Sequence, residues 1–202
     1  PVGHVEAGLR SYDRQMPEEI NRVVTDQIAD RLYTTERSAE GNLRSEGIPA
    51  KRVIFSGNVM IDSLLAHRKH ARSAADTLRA HGIDPLLLEH PKGYGVVTLH
   101  RPSNVDDPQT LRSLLVTLGD VAKDLPLVFA MHPRTRSNID KLQLGGLVDP
   151  ARLVLLPPQG YLEMLGLMSG ATLVLTDSGG LQEETTALGV PCLTLRANTE
   201  RP

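Results

Sequence analysis

The chain has 202 residues, 40% of them hydrophobic and 23% charged, with a formal net charge of −2. The apolar content supports a packed core and excludes a disordered chain, and acids and bases so interspersed offer nucleic acid no basic surface. The single cysteine, Cys192, excludes an intrachain disulfide framework and fits a reducing cytoplasm, and no apolar run approaches the ~20 residues of a membrane span.

Pro1 to Glu6 reads as a strand interior and Thr199 to Pro202 follows another strand, so the sequence is expected to come from the middle of a longer chain. Pro17-Glu18-Glu19 marks a helix start, with proline at the first position and acids in the first turn. Ile20, Val23, Val24 and Ile28 then recur at helical spacing, which predicts one buried apolar face. A strand at 31–34, a helix at 38–45 and a strand at 53–55 come next, closed by Gly57-Asn58. One long helix is expected over 60–81, with His67, His70 and His81 solvated on it, before a Pro- and Gly-punctuated linker at 85–93. Strands at 94–99, 127–131, 153–156, 173–175 and 192–195 then alternate with helices near 108–123, 134–142, 161–168 and 181–187. That alternation predicts a parallel sheet with right-handed crossovers, whose ligands bind beyond the carboxyl ends of the strands. His100 and Arg101, His132, Gln159 and Ser178 all fall at those ends.

The most informative segment is Asp177-Ser178-Gly179-Gly180-Leu181-Gln182-Glu183-Glu184, where an apolar strand turns at once into a helix. Its glycines let backbone N–H groups approach an anion, and the helix N-terminus adds partial positive charge. A glutamate in the first turns is placed to accept both hydroxyls of a ribose, so the segment suggests a nucleoside diphosphate. Read alone, it is equally an ordinary capped strand–turn–helix. Glu6, Glu18, Glu19 and His100 supply groups suited to proton transfer at carbon. No metal-ligand spacing appears among the histidines, and no G-x-G-x-x-G follows a first strand, which speaks against a dinucleotide-binding dehydrogenase.

His4-Val5-Glu6-Ala7-Gly8-Leu9-Arg10, Pro17-Glu18-Glu19-Ile20-Asn21-Arg22, Gly57-Asn58, His100-Arg101, Asp177 to Glu184 and Thr199-Glu200-Arg201-Pro202 occur in that order. Together they make the chain resemble the non-hydrolysing UDP-N-acetylglucosamine 2-epimerases over essentially its whole length. The resemblance implies an α/β fold of the glycosyltransferase-B type, a pair of Rossmann-like parallel-sheet domains with the nucleotide sugar in the cleft. Residues 1–58 would be the later part of the first domain, 59–91 an interdomain helix and linker, and 92–202 most of the UDP-binding domain. It further implies that Ser178, Gly179 and Gly180 hold the diphosphate, Glu184 the ribose and Arg201 a phosphate, with Gln159 near the uracil. Arg10, Arg101 and His132 are implied as further substrate-binding residues, and Glu6, Glu18 and His100 as the catalytic ones. Arg101, Glu18 and His132 also match positions where several bacterial members hold a second substrate molecule. After His100-Arg101 this chain continues Pro102-Ser103-Asn104, where many members carry another basic residue and a glutamate.

The implied reaction needs no cofactor and inverts C2 by eliminating UDP to 2-acetamidoglucal and adding it back. The implied partners are UDP-N-acetylglucosamine, UDP and a second copy of the full-length chain, with no nucleic acid and no membrane. Rival readings are a hydrolysing epimerase, a UDP-sugar glycosyltransferase of the same fold, and a non-catalytic nucleotide-sugar sensor.

Overall fold

A computed structural model describes residues 1–197 and 199–201. Pro202, the last residue of the expected C-terminal motif, lies outside them. The chain divides into two compact units, 1–63 with 197–202 and 64–196, rather than at the expected 58 and 92. The expected linker is therefore shared out: 59–63 go with the first unit, and 64–91 with the second. There Leu78 lies fully buried in a core cluster.

In the first unit, β1 (Gly3–Val5), β2 (Arg31–Thr34) and β3 (Val53–Phe55) form a parallel sheet in that order. α1 (Pro17–Ile28) and α2 (Arg37–Ser45) are the crossovers. Gly3 registers with Arg31, and Leu32 with Val53. A small core of Ala7, Ala29, Leu32, Leu43 and Ile48 lies around the central strand.

The α1 helix starts where expected but is turned the other way. Ile20, Val24 and Ile28 are 49%, 52% and 70% exposed, while Glu19 and Asp26 are buried. The cause is polar. Glu19 accepts the N–H groups of Ser11 (3.0 Å) and Tyr12 (2.9 Å), and Asp26 accepts the Gly8 N–H (3.1 Å) and pairs with Arg10 (2.7 Å). Nineteen and 26 lie two helical turns apart on one stripe, so the loop before the helix draws that stripe inward.

The expected helix over 60–81 is interrupted. It runs as α3 (Val59–His67), a 3₁₀ turn and α4 (Ala74–Ala80). The Ser73 side chain caps α4 by accepting the Asp76 N–H at 3.1 Å. Just before it the chain presses onto α8 (Tyr161–Ser169), the Arg72 N–H donating to the Leu162 carbonyl at 3.0 Å. A Cβ on Gly166 would lie 1.6 Å from the Arg72 carbonyl oxygen, so only glycine fits there. Gly166→Ala should therefore cost about 1–3 kcal/mol in urea unfolding, as overpacking does. Gly41 in α2 has open space around its absent Cβ. Gly41→Ala should gain about 0.5–1 kcal/mol of helix stability. Equal responses at the two sites would refute the close-approach account.

The second unit is a parallel sheet in the order β6–β5–β4–β7–β8. Its strands are β4 (Gly95–Thr98), β5 (Leu127–Ala130), β6 (Leu153–Leu156), β7 (Leu173–Thr176) and β8 (Cys192–Thr194). The connecting helices are α5 (Pro102–Val105), α6 (Pro108–Val121), α7 (Pro133–Lys141) and α9 (Gly179–Leu188), with α8 between β6 and β7. The strands read as unbroken apolar runs because alternate residues feed two cores. Val97 and Phe129 join Leu111 and Leu115 of α6 on one face, while Val96, Val128 and Val174 join Leu167 and Met168 of α8 on the other. The order reverses between β4 and β7, where the chain first winds toward β6 and then toward β8. In open parallel sheets such a reversal leaves a crevice at the carboxyl ends of the strands.

Among the described residues, no helix is long and apolar enough to cross a membrane. Cys192 is half-buried, and burial pushes its thiol up, with a hydrogen bond involving Thr185 opposing, so it is poorly disposed to act as a nucleophile.

Candidate functional site

The crevice opens between β4 and β7. Thr98 and Thr176 bridge the two strands through their hydroxyls at 2.7 Å, and Thr176 Oγ1 also accepts the Ser178 N–H at 3.0 Å. A cavity of about 290 Å³ lies there, reached by His100, His132, Gln159, Tyr161, Ser178 and Glu184. It gathers residues that follow four different strands. Ser178 is the N-cap of α9 but makes no side-chain cap hydrogen bond, so the helix opens on Gly179-Gly180 with its first turn uncapped by that hydroxyl.

Asp177, fully buried one residue earlier, organises the crevice. It accepts the backbone N–H groups of His100 (3.0 Å) and Arg101 (2.9 Å) and the side-chain amide of Asn104 (3.0 Å). His100 Nδ1 lies 2.9 Å from the same carboxylate. Burial alone would raise this carboxyl, but hydrogen bonds from the His100 ring, the Arg101 N–H and Asn104 outweigh it and hold it below the usual carboxylate range. With Nδ1 bound to a carboxylate, Nε2 is the His100 nitrogen left to meet a ligand. The His132 ring stands 5.9 Å from the His100 ring, centroid to centroid, and its Nδ1 accepts the Arg134 N–H at 3.2 Å, capping α7.

Glu184 is buried along the same helix α9. Burial pushes its carboxyl up, a hydrogen bond with Tyr161 pulls it down, and the charge of Glu183 adds to the rise. Burial and the Glu184 charge together raise the Tyr161 hydroxyl. At the far side, the Gln159 amide donates to the Pro157 carbonyl at 2.7 Å and meets the His81 ring at 3.1 Å. His81, expected to be merely solvated, is exposed but has this partner. His67, also exposed, makes an edge contact with the Tyr161 ring.

Four expected site residues belong to the first unit. Glu6 opens the turn after β1 with φ at +67°, a left-handed conformation unusual for a side-chain-bearing residue, and its carboxylate ion-pairs with Arg201. Arg201 also pairs with the buried Glu200 at 3.0 Å. Glu18 lies exposed in the first turn of α1, while its neighbour Glu19 turns inward. Arg10, expected to bind substrate, is buried, and its guanidinium is committed to Glu46 (2.6 Å), Asp26 (2.7 Å) and the Leu9 carbonyl (2.7 Å). These carboxylates keep it charged beyond the ordinary arginine value, against the opposing effect of burial.

Sequence reasoning passed over Tyr161 and Asp26, gave Asp177 no role of its own within its motif, and read Glu19 as a proton-transfer group rather than as an anchor for loop amides. One signal was present for Asp177: an acid closing the apolar run Leu173-Val174-Leu175-Thr176 must be buried and therefore bonded. For Tyr161 there was none, because its partner lies on another helix. Among the described residues, no group of His, Cys, Asp or Glu gathers as if to hold a metal ion.

A family model described as UDP-N-acetylglucosamine 2-epimerase matches residues 1–202. The chain belongs to this epimerase family. The UDP-N-acetylglucosamine 2-epimerase of Methanocaldococcus jannaschii is 41% identical, over 100% of this chain and 55% of its own length. The UDP-2,3-diacetamido-2,3-dideoxy-D-glucuronate 2-epimerase of Pseudomonas aeruginosa is also 41% identical, over 99% of this chain and 53% of its own. A crystal structure of the M. jannaschii epimerase in complex with UDP-GlcNAc and UDP superposes with a TM-score of 0.82 at 40% identity, over 100% of this chain and 55% of that one. The Neisseria meningitidis epimerase bound to UDP-GlcNAc gives 0.76 at 33%, over 100% and 54%. The chain thus spans about half the length of the family members it matches. Its fold class is that of the family: glycosyltransferase-B-like, with Rossmann-type parallel-sheet units.

Proposed function

We propose that the protein carrying this chain interconverts UDP-N-acetylglucosamine and UDP-N-acetylmannosamine by inverting C2 of the sugar. The observation that carries this reading is the cavity at the β4–β7 reversal, where the start of α9 and the buried Glu184 of the same helix reach one space. A helix N-terminus opening on two glycines suits a diphosphate, and a carboxylate farther along the helix suits a pair of ribose hydroxyls. Ser178, Gly179 and Gly180 are assigned to the diphosphate, Glu184 to the ribose, Gln159 to the uracil, and Arg101, His132 and Arg201 to further substrate contacts. Arg10 is assigned to holding its loop, because its donors are already committed.

The C2 proton is not acidic, since the neighbouring anomeric carbon is an acetal. Removing it becomes feasible when the C1–O bond breaks in the same stage. The C–H electron pair forms the C1–C2 double bond of 2-acetamidoglucal, and UDP leaves with the C–O pair. In the return direction a UDP oxygen attacks C1 and a proton is delivered to the opposite face of C2. Glu6 and Glu18 are assigned to the proton transfers, and His100, fixed by Asp177, to the charge developing on the departing diphosphate.

The same identity to the P. aeruginosa diacetamido-glucuronate epimerase supports a second reading, in which the sugar carries additional substituents. Proton NMR of the protein in deuterated water, with each nucleotide sugar in turn, separates the two. The C2-inverted UDP-sugar bearing deuterium at C2 is expected from one of them. Release of free sugar and UDP would replace this reading with a hydrolysing epimerase, and an unchanged spectrum with both would reject epimerisation.

A further inference from the structure

Asp26 is a fully buried carboxylate that the proposed chemistry does not use. It projects from the inward stripe of α1 beneath the loop that follows β1. Its Oδ1 takes His4 Nδ1 at 2.6 Å, and its Oδ2 takes the Gly8 N–H at 3.1 Å and the Arg10 guanidinium at 2.7 Å. Those contacts bracket Glu6 on both sides. The next tether is backbone: the Ala7 N–H donates to the Tyr33 carbonyl at 3.0 Å, and the Gly8 carbonyl accepts from Asn42 at 2.9 Å. Glu6 stands between these anchors in its left-handed conformation. A side-chain-bearing residue persists in that region only when its surroundings over-determine it.

Stability alone is a poor reason for such a cluster. Buried ion pairs are commonly matched or bettered by apolar groups of similar volume, because desolvation offsets their attraction. What an apolar residue cannot do is bind a ring nitrogen, a backbone N–H and a guanidinium at fixed positions in one loop. We infer that Asp26 is a positioning residue for Glu6, holding the 4–10 loop in the conformation that presents the Glu6 carboxylate. The inference rests on the proton-transfer role proposed for Glu6, while its structural half stands apart from that role.

The test uses Asp26→Asn, Glu6→Gln and the double variant in the protein that carries this chain. Amide hydrogen exchange at Glu6 to Arg10 is read beside kcat, KM for UDP-N-acetylglucosamine and UDP affinity. Asp26→Asn should speed exchange in that loop by about tenfold or more, leave β2 and α2 protected, and lower kcat with KM and UDP affinity nearly unchanged. The double variant should be no slower than Glu6→Gln, since both act through one carboxylate. Losses that add in full, or a kcat loss that merely tracks the melting temperature, would overturn the inference. Unchanged loop exchange would overturn it whatever the protein turns over. A wild-type protein inert toward the nucleotide sugar would instead reject the functional reading, and the exchange measurement would still decide whether Asp26 holds the loop. Should Asp26→Asn fail to fold, His4→Gln at the partly exposed end of the cluster carries the same comparison, with a smaller expected effect.

Discussion

Glu6→Gln is expected to lower epimerisation by at least about 100-fold, the scale of general acid–base catalysis, while UDP affinity changes little. Glutamine keeps the shape of the side chain and loses its ability to take or give a proton at this pH range. Its partner Arg201 retains the ion pair with Glu200, so the guanidinium stays placed when Glu6 is neutralised. The backbone supports the same expectation. A non-glycine residue in a left-handed conformation costs about 1–3 kcal/mol, and such outliers concentrate where function needs a particular presentation. Steady-state kinetics and calorimetric titration with UDP check both halves. A large loss of UDP binding with turnover per bound substrate preserved would remove Glu6 from the chemistry and make it a ligand of the nucleotide.

Asp177→Asn should destabilise the second unit by about 3 kcal/mol at neutral pH, because it withdraws a buried acceptor from several donors at once. The asparagine NH₂ would face the His100 and Arg101 N–H groups or the Asn104 amide, leaving buried donors opposed to donors. The pH dependence has a definite sign. The folded carboxyl lies below its ordinary 3.8, so its stabilisation is complete above that value and is lost as pH falls through the lower folded value. The gap between wild type and Asp177→Asn in urea unfolding should thus be full at neutral pH and narrow only in acid below 3.8. Turnover should fall as well, since the His100 ring loses the bond that fixes its tautomer. A gap that closes on the alkaline side instead would show that Asp177 is not the ionised acceptor described.

Strand positions were legible because apolar runs bounded by turn residues leave little choice: 31–34 and 153–156 fall where the sequence puts them. The parallel sheet followed from strand–helix alternation, and with it the convergence of His100, His132, Gln159 and Ser178 on one cavity. The rest depended on partners remote in sequence. Between 60 and 81 the one local sign of a break is Ser73, which caps α4, and the Arg72 backbone before it is admitted by Gly166 of α8, remote in sequence. Periodicity found the stripe on α1 but not its direction, because Glu19 and Asp26 turn inward only once loop amides and Arg10 are there to meet them. Arg10 shows the same dependence: a motif gives a residue's position, whereas its donors are allotted by neighbours such as Glu46. Asp177 was visible as an acid in an apolar context, but its set of donors emerges only when β4, β7 and α5 meet.

That meeting reaches one step further. Asn104 donates to Asp177 at 3.0 Å and to the Leu195 carbonyl at 2.8 Å, and the Thr98–Thr176 pair joins β4 to β7 beside it. The ends of β4, β7 and β8 are therefore wired to one another by the protein's own groups. A receptor already ordered loses little conformational entropy on association, so more of the ligand's contact energy remains as affinity. If the proposed function holds, the ordering cost of binding a nucleotide sugar should then fall on the ligand's own rotatable bonds rather than on this crevice.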